Sequence, residues 1–269
     1  MGAIPYFLNG GASIVSSITG FGSDQIVSAR MVSAKGDIIN VNEKEHPDLL
    51  YGIRGAGQFF GLITQLVVKA YPLSDLGNDK GVIWTGSFVF PLDRAKEALP
   101  VMKGLMEDSS HATAGRMMVV APPPTRSPSL VISARHTGDP NNIEKAFKAV
   151  YDLNPTVANG AVVPIQNASD GREAVAAKGG FKEFGTVALH RFDQDAFLKV
   201  IDVWKEMIAE CPDAINTGFS FQWDSRPPKK PDVEGAMSLH DIRYWLYVMI
   251  FFSFARHQPQ CDTCKGNLH

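Results

Sequence analysis

The sequence predicts an α+β protein, and three observations carry that prediction. A β-branched hairpin lies near the N-terminus, strands and amphipathic helices alternate from residue 79 to about 253, and their connections are of hairpin length. Connections that short suit an antiparallel sheet covered by helices rather than a parallel βαβ array. The 269 residues are 45% hydrophobic, 10% aromatic and 20% charged, a soluble globular composition that excludes a collagen-like, disulfide-scaffold or disordered chain. Twenty-six basic against 28 acidic side chains leave a net charge of −2. That balance gives no general pull toward nucleic acid or an anionic membrane, and neither is an expected partner.

In the first zone, residues 1–78, Gln25 to Val32 is a β-branched strand, and Lys35-Gly36-Asp37 turns it into Ile38-Ile39-Asn40-Val41. A short helix follows, starting near Asn42 or Glu43 and built on Asp48 to Ile53, and it ends at Gly55-Ala56-Gly57. Leu62 to Tyr71 is a strand stopped by Pro72.

The second zone, residues 79–253, opens with the strand Val82 to Phe90. Pro91 then starts a helix whose Leu92, Ala95, Leu99 and Met102 share one apolar face. Met117 to Ala121 and Leu130 to Ala134 are strands around the Pro122-Pro123-Pro124 turn. Asp139-Pro140 begins a second helix through Ile143, Ala146, Phe147 and Val150, and Thr186 to Leu189 is a short strand. A third helix follows Asp193, its inward stripe being Phe197, Val200, Ile201, Trp204 and Ile208. Gly218 to Trp223 and Ile242 to Phe252 are strands, separated by a surface loop at Pro227-Pro228-Lys229-Lys230-Pro231. Residues 254–269 are polar and unpatterned, a loose tail.

Three cysteines, Cys211, Cys261 and Cys264, are too few and too clustered for a disulfide framework. Cys261-Asp262-Thr263-Cys264 is a CxxC with His257 and His269 nearby, but it lacks the second ligand pair of a zinc site, so no metal is expected. The apolar N-terminus carries no basic segment and reaches Asn9-Gly10-Gly11 before a signal-peptide core is complete, so the chain as it stands is expected to be cytoplasmic. Tyr244 to Phe254 is too short to span a bilayer as a helix.

Gly55-Ala56-Gly57-Gln58-Phe59-Phe60-Gly61 has the look of a dinucleotide fingerprint. A Rossmann fingerprint, however, needs a strand before it and a helix after it, and here the order is reversed. Glycines still permit positive φ and close backbone approach, and Gly10-Gly11-Ala12-Ser13, with Ser16 and Ser17, offers a second such surface. Plain turn chemistry accounts equally for either cluster taken alone.

Together the pieces are more specific. Gly20-Phe21-Gly22-Ser23-Asp24-Gln25, the hairpin Ala29 to Gly36, Glu45 to Leu50 and the string PDLLYGIRGAGQFFGLIT occur in that order. From Gly20 to Pro72 this resembles the second half of the FAD-binding domain in the berberine-bridge-enzyme-like FAD-linked oxidases. These belong to the vanillyl-alcohol-oxidase, or PCMH-type, flavoprotein superfamily. The resemblance implies a partial PCMH-type FAD-binding subdomain (1–78) followed by a substrate-binding α+β domain (79–253). It also implies an FAD-linked oxidoreductase that removes a hydride from a small organic substrate, such as a secondary metabolite, with O2 reoxidising the flavin. By the same resemblance Gly10, Gly11, Ser13 and Ser17 run beside the flavin and its phosphates, with Gly57 and Gly61 in the following cluster. The Ile63 backbone then holds the adenine side. Arg54 is the one charge near this segment, and it equally suits bracing of the helix end.

Departures from the family pattern accompany the match. Phe59 stands where many members carry Asn, and Phe59 and Phe60 read as packing residues. The α/β subdomain that carries the pyrophosphate loop, and in many members a flavin-linked His, has no room upstream of Gly10; Cys211 lies far from the cofactor segment. FAD is therefore expected to be non-covalent if bound, and the chain is expected to be truncated at both ends; full-length relatives of this kind can be secreted. A second reading stays open, that of a truncated non-catalytic relative acting as a binding or partner protein, or an incomplete gene product. For the proton-accepting role the candidates are His240, Tyr244 and Tyr247. Strand alternation from His240 puts Ile242, Tyr244 and Leu246 on its own face, with Asp241, Arg243, Trp245 and Tyr247 on the other. Phe88, Phe90, Phe221, Trp223 and Trp245 would suit a hydrophobic substrate where they are not core.

Overall fold

A computed structural model describes residues 2–170 and 181–252, and the counts below are of these residues. The CxxC and the whole of the expected tail, residues 254–269, lie outside them. The chain divides into two compact units: one holds the segment up to Leu76 with Pro227–Ile242, the other Gly77–Arg226 and the chain from Arg243 onward.

In the first unit, α1 (Ala3–Leu8) and α2 (Ser16–Thr19) precede a three-stranded antiparallel sheet of order β2-β1-β3. Its strands are β1 (Ile26–Val32), β2 (Ile38–Val41) and β3 (Leu62–Val68), with α3 (Pro47–Ala56) between the last two. The predicted hairpin holds: Ser33 N–H donates to the Asp37 carbonyl and Met31 pairs with Ile39. Ile26, Met31, Val41, Leu50, Ile53 and Ile63 form the core, with Leu8 of α1 packed in. The regular turns of α3 end at Ile53, because Arg54 (ψ 68°) and Gly55 (φ 120°, ψ −17°) leave helical geometry.

The second unit is a seven-stranded sheet of order β7-β4-β6-β5-β9-β10-β8, antiparallel throughout. Its strands are β4 (Val82–Pro91), β5 (Thr113–Val120), β6 (Ser129–His136), β7 (Val157–Pro164), β8 (Phe181–Leu189), β9 (Gly218–Asp224) and β10 (Tyr244–Phe252). Four helices pack on one face: α4 (Ala95–Glu107), α5 (Ile143–Ala146), α6 (Lys148–Tyr151) and α7 (Gln194–Glu210). Leu99 and Met102 of α4 and Phe197, Ile201 and Trp204 of α7 meet Phe88, Met117, Ile132 and Phe221 of the sheet, so both predicted apolar stripes are the faces buried. Asp193 caps α7 by accepting the Ala196 N–H at 2.9 Å, and Asp139 accepts the Asn141 N–H where the second predicted helix starts. That helix is broken into a 3₁₀ turn (Pro140–Asn142), α5 and α6.

Four features differ from the sequence expectation. Val157–Pro164 is an edge strand, exposed almost throughout, whose Asn159-Gly160 pair hides the usual strand signal. Gly160 is needed there because a Cβ would strike the Trp84 ring. Ala3–Leu8 is helical. Phe88, Phe90, Phe221 and Trp223 are all core, leaving only Trp245 of the five aromatics on the face away from the helices. Finally, Pro227–Ile242 is not a loop of the second unit's surface: it packs in the first unit, where polar contacts hold it along its length. Among the described residues no helix is long and apolar enough to cross a membrane.

Candidate functional site

The Gly/Ser segment forms a closed loop in the first unit. The Gly22 and Ser23 amides donate to the carbonyls of Gly11 and Gly10, both at 2.9 Å, and the Tyr6 hydroxyl donates to Gly11 O at 2.8 Å. The Ser13 hydroxyl accepts the Val15 N–H, the Ser16 hydroxyl accepts the Ser13 N–H, and Ser17 sits half-buried in α2. Ile63 points its side chain into the core opposite Met31. Ser23 Oγ is fully buried with no hydrogen-bond partner.

A Cβ built on each candidate glycine meets the chain's own atoms. On Gly10 it would lie 3.1 Å from Met237 Cε, on Gly11 2.9 Å from the Tyr6 ring and carbonyl, and on Gly57 2.6 Å from Leu8 Cδ2. On Gly61 (φ 146°) it would overlap the Val32 carbonyl and come within 2.7 Å of Met31 Cε. The missing side chains at these positions make room for α1, the sheet and the Pro227–Ile242 segment.

That segment is fastened at several points. Lys229 N–H donates to Ser16 O, Lys69 pairs with Asp232 at 2.9 Å, and Ala236 and Met237 N–H donate to Tyr51 O and Arg54 O. Arg54 is buried: Nε and Nη2 donate to Ile26 O at 3.0 and 2.9 Å, and Nη1 to Glu234 O at 3.1 Å. Loss of solvent depresses its guanidinium pKa, against the pull of Glu43 and Asp24. The bracing role is the one observed.

His240 is not on a strand. It stands in a turn closed by Ile242 N–H to Leu239 O, and β10 begins only at Tyr244. The turn forms because the side chain is drawn to buried Asp24, whose Oδ1 lies 3.0 Å from His240 Nε2 while Oδ2 accepts the Phe21 N–H. The imidazole also meets the Phe21 ring edge-on at 5.6 Å. One carboxylate thus caps the Gly22–Gln25 turn and anchors the segment's far end. We expect Asp24→Ala to cost about 2–3 kcal/mol by stranding a buried N–H and releasing His240. Urea unfolding measures the loss, and faster tryptic cleavage after Lys229 than in the parent reports the released segment.

In the second unit, alternation along β10 holds from Tyr244 onward. Tyr244 faces the helices, stacked on Phe221 at 5.6 Å within the core, with the Arg243 guanidinium over its ring. Tyr247 faces the other way, and its hydroxyl donates to Gln222 Oε1 at 3.3 Å. Arg116 from β5 reaches the same oxygen at 3.4 Å, its guanidinium 5.5 Å over the Tyr247 ring. Burial pushes both phenols above their ordinary value, in Tyr247 against the opposing pull of Arg116. Both tyrosines are therefore protonated at neutral pH, which fits a hydrogen-bond donor and not a resting base. Beside Tyr247 in register stands Ser220, 1% exposed, its hydroxyl without a partner.

Arg116, Gln222 and Ser220 escape a motif search because they are single residues on three strands. The signal available was parity: with Met117 and Phe221 inward, Arg116 and Gln222 must point outward. His136, at the end of β6, is buried on the helix side, and burial depresses its imidazole pKa and keeps it neutral. Among the described residues no group of three His, Cys, Asp or Glu is placed to hold a metal ion.

The chain thus folds as a small glycine-rich unit and a large helix-backed antiparallel sheet, the two kinds of unit that the sequence resemblance to PCMH-type flavoprotein oxidases led one to expect. Comparison with known proteins makes it specific. The chain is 30% identical over 203 residues to the FAD-linked oxidoreductase OXR1 of Pyricularia oryzae, covering 73% of this chain and 39% of that protein. It is 28% identical over 156 residues to (R)-6-hydroxynicotine oxidase of Paenarthrobacter nicotinovorans, covering 58% and 33%. Among solved structures, 6-hydroxy-D-nicotine oxidase from Arthrobacter nicotinovorans superposes with a TM-score of 0.75 at 18% identity, over 96% of this chain and 56% of that one. The wild-type BBE-like 1 protein of Physcomitrella patens gives 0.74 at 13%, over 94% and 56%. No family model matches. Together these likenesses support the berberine-bridge-enzyme-like, PCMH-type FAD-linked oxidases as the family of this chain. The chain spans about half the length of these solved structures, and 39% of OXR1.

FAD is the cofactor this family implies. At the glycines expected beside it, a built Cβ would meet Met237, Tyr6, Leu8 and the Val32 carbonyl, so packing within the chain by itself requires glycine at Gly10, Gly11, Gly57 and Gly61.

Proposed function

We propose that this chain is part of an FAD-linked oxidoreductase acting on a small organic substrate, with O2 as terminal acceptor. The substrate lies on the helix-free face of the seven-stranded sheet. The observation that carries the reading is the convergence of Arg116, Gln222 and Tyr247 on that face, with the Ser220 hydroxyl beside them. A polar trio set among Trp245, Met118 and Met249 on one sheet surface is what orients a mostly apolar molecule by a few directed hydrogen bonds. In this reading Tyr247 donates a hydrogen bond to a substrate oxygen and Gln222 aligns the phenol. His240 and Tyr244 hold the turn and the core, so the base is assigned to neither. Residues 1–78 supply flavin-side backbone, with Ser13, Ser17 and Ile63 as the proposed contacts, and residues 79–253 the substrate side.

One observation favours the non-catalytic alternative: the glycines are packed against the chain itself. Adding FAD to the purified chain separates the two. A visible flavin absorbance band that survives desalting is the expected result. Colourless protein that quenches no flavin fluorescence would overturn the flavoenzyme reading for this chain and leave the partner-protein reading.

A further inference from the structure

Asn167-Ala168-Ser169 is an N-x-S/T acceptor sequence for N-linked glycosylation, and the sequence holds no second usable one. The other match, Asn154-Pro155-Thr156, carries Pro at the middle position, which blocks transfer. Asn167 ends the 3₁₀ turn Ile165–Asn167 that leaves β7, and both Asn167 and Ser169 are exposed. Ala168 N–H donates to Ile165 O and Asp170 N–H to Asn167 O, so the acceptor stands on a hydrogen-bonded surface turn. Asn167 Nδ2 also donates to Asp170 Oδ2 at 2.7 Å. An amide nitrogen that has taken a sugar keeps one N–H, so this bond is compatible with the modified side chain.

The strand before the acceptor is an unguarded edge. Among the described strands β7 pairs with β4 alone, and the register runs from Val82–Pro164 to Val89–Val157 without a bulge. Val157 and Val162 are 42% and 47% exposed. From Val157 to Asn167 the chain has no Lys, Arg, Asp or Glu. Edge strands are ordinarily kept from pairing with other chains by charge, by a bulge or by Pro. On β7 the one such device is Pro164, at the last position of the strand. The opposite edge, β8, carries Lys182 and Glu183.

We propose that Asn167 is an N-glycosylation site and that its glycan shields the β7 edge from pairing with other chains. A glycan is bulky and strongly hydrated, and it does the work that charge does on β8. The donor is an oligosaccharide carried on a lipid diphosphate. A bond forms between Asn167 Nδ2 and the anomeric carbon of the first sugar while the bond from that carbon to the diphosphate oxygen breaks. The amide gives up one proton and the lipid diphosphate leaves. This transfer takes place in the secretory lumen, so the site carries a compartment with it, in place of the cytoplasm expected from the N-terminal residues. In the sheet order β7 stands three strands from β5, about 14 Å away, so the glycan leaves the face around Gln222 and Tyr247 open.

The full-length protein isolated from the organism that encodes it provides the test. Treatment with a peptide-N-glycosidase is expected to convert Asn167 to Asp, read by mass spectrometry of the peptide that contains it. Asn167 found unmodified before treatment would overturn the proposal. Trimming the glycan to a single sugar with an endoglycosidase leaves the sequence unchanged and acts on protein already folded. It should raise the aggregated fraction several-fold, followed by light scattering, and an unchanged fraction would overturn the shielding role. In secreted expression Ser169→Ala should lose the glycan and the solubility together, while Ser169→Thr keeps both. Adding Ala161→Lys to Ser169→Ala puts a charge on the exposed edge and should restore solubility without the glycan. A double variant as aggregation-prone as Ser169→Ala would remove the β7 edge as the surface being shielded.

Discussion

Gly55→Val is expected to unfold the first unit or cost it roughly 3–5 kcal/mol, measured by urea denaturation. Two independent penalties act. Gly55 holds φ at 120°, where a β-branched residue is strained, and a Cβ there would come 2.6 Å from Met237 N and 2.8 Å from its Cα. Those are backbone atoms, and Met237 N–H already donates to Arg54 O, so the neighbour cannot swing aside as a flexible side chain would. The helix α3 must also break at Arg54 to aim that guanidinium at Ile26 O and Glu234 O. Gly36→Ala is the control: its φ is also positive at 88°, but a Cβ there meets nothing within 4 Å. It should lose only about 1 kcal/mol. Equal losses in the two variants would remove the close approach of Met237 as the cause.

Trp204→Ala should cost about 3–5 kcal/mol in the second unit, followed by chemical denaturation. Trp204 is fully buried in α7 beneath the sheet, and its indole Nε1 donates to Thr217 O at 2.9 Å. The truncation opens a cavity and strands a buried carbonyl together. Trp204→Phe retains most of the volume and should lose about 1–2 kcal/mol for the unmade hydrogen bond. If the two variants lost equally, the hydrogen bond and not the packing would dominate.

Sequence signals differ in the range over which they act along the chain. The Leu99–Met102 and Phe197–Trp204 stripes, the Asp193 cap and the Lys35-Gly36-Asp37 turn are local patterns read within a few residues, and each is found where the sequence put it. The family string Pro47 to Thr64 was equally legible because its order is contiguous. His240 was misread because alternation was extended back from Tyr244 through residues held by Asp24, a partner 216 positions away. Val157–Pro164 was missed because an exposed edge strand has no buried face to impose a period of two.

By itself the sequence determined the α+β class, the order of most elements, the family and the list of residues from which a site could be built. Tertiary structure decided which of those residues are spent on packing and which remain for chemistry. Gly10, Gly11, Gly57 and Gly61 face the chain's own atoms, Arg54 and His240 hold the Pro227–Ile242 segment, and Tyr244 joins the core. Arg116, Gln222, Ser220 and Tyr247 meet on one face because strand register aligns β5, β9 and β10. Register is fixed by hydrogen bonds and buried side chains from distant parts of the chain. A patch assembled that way has no spacing in sequence by which it could have been read.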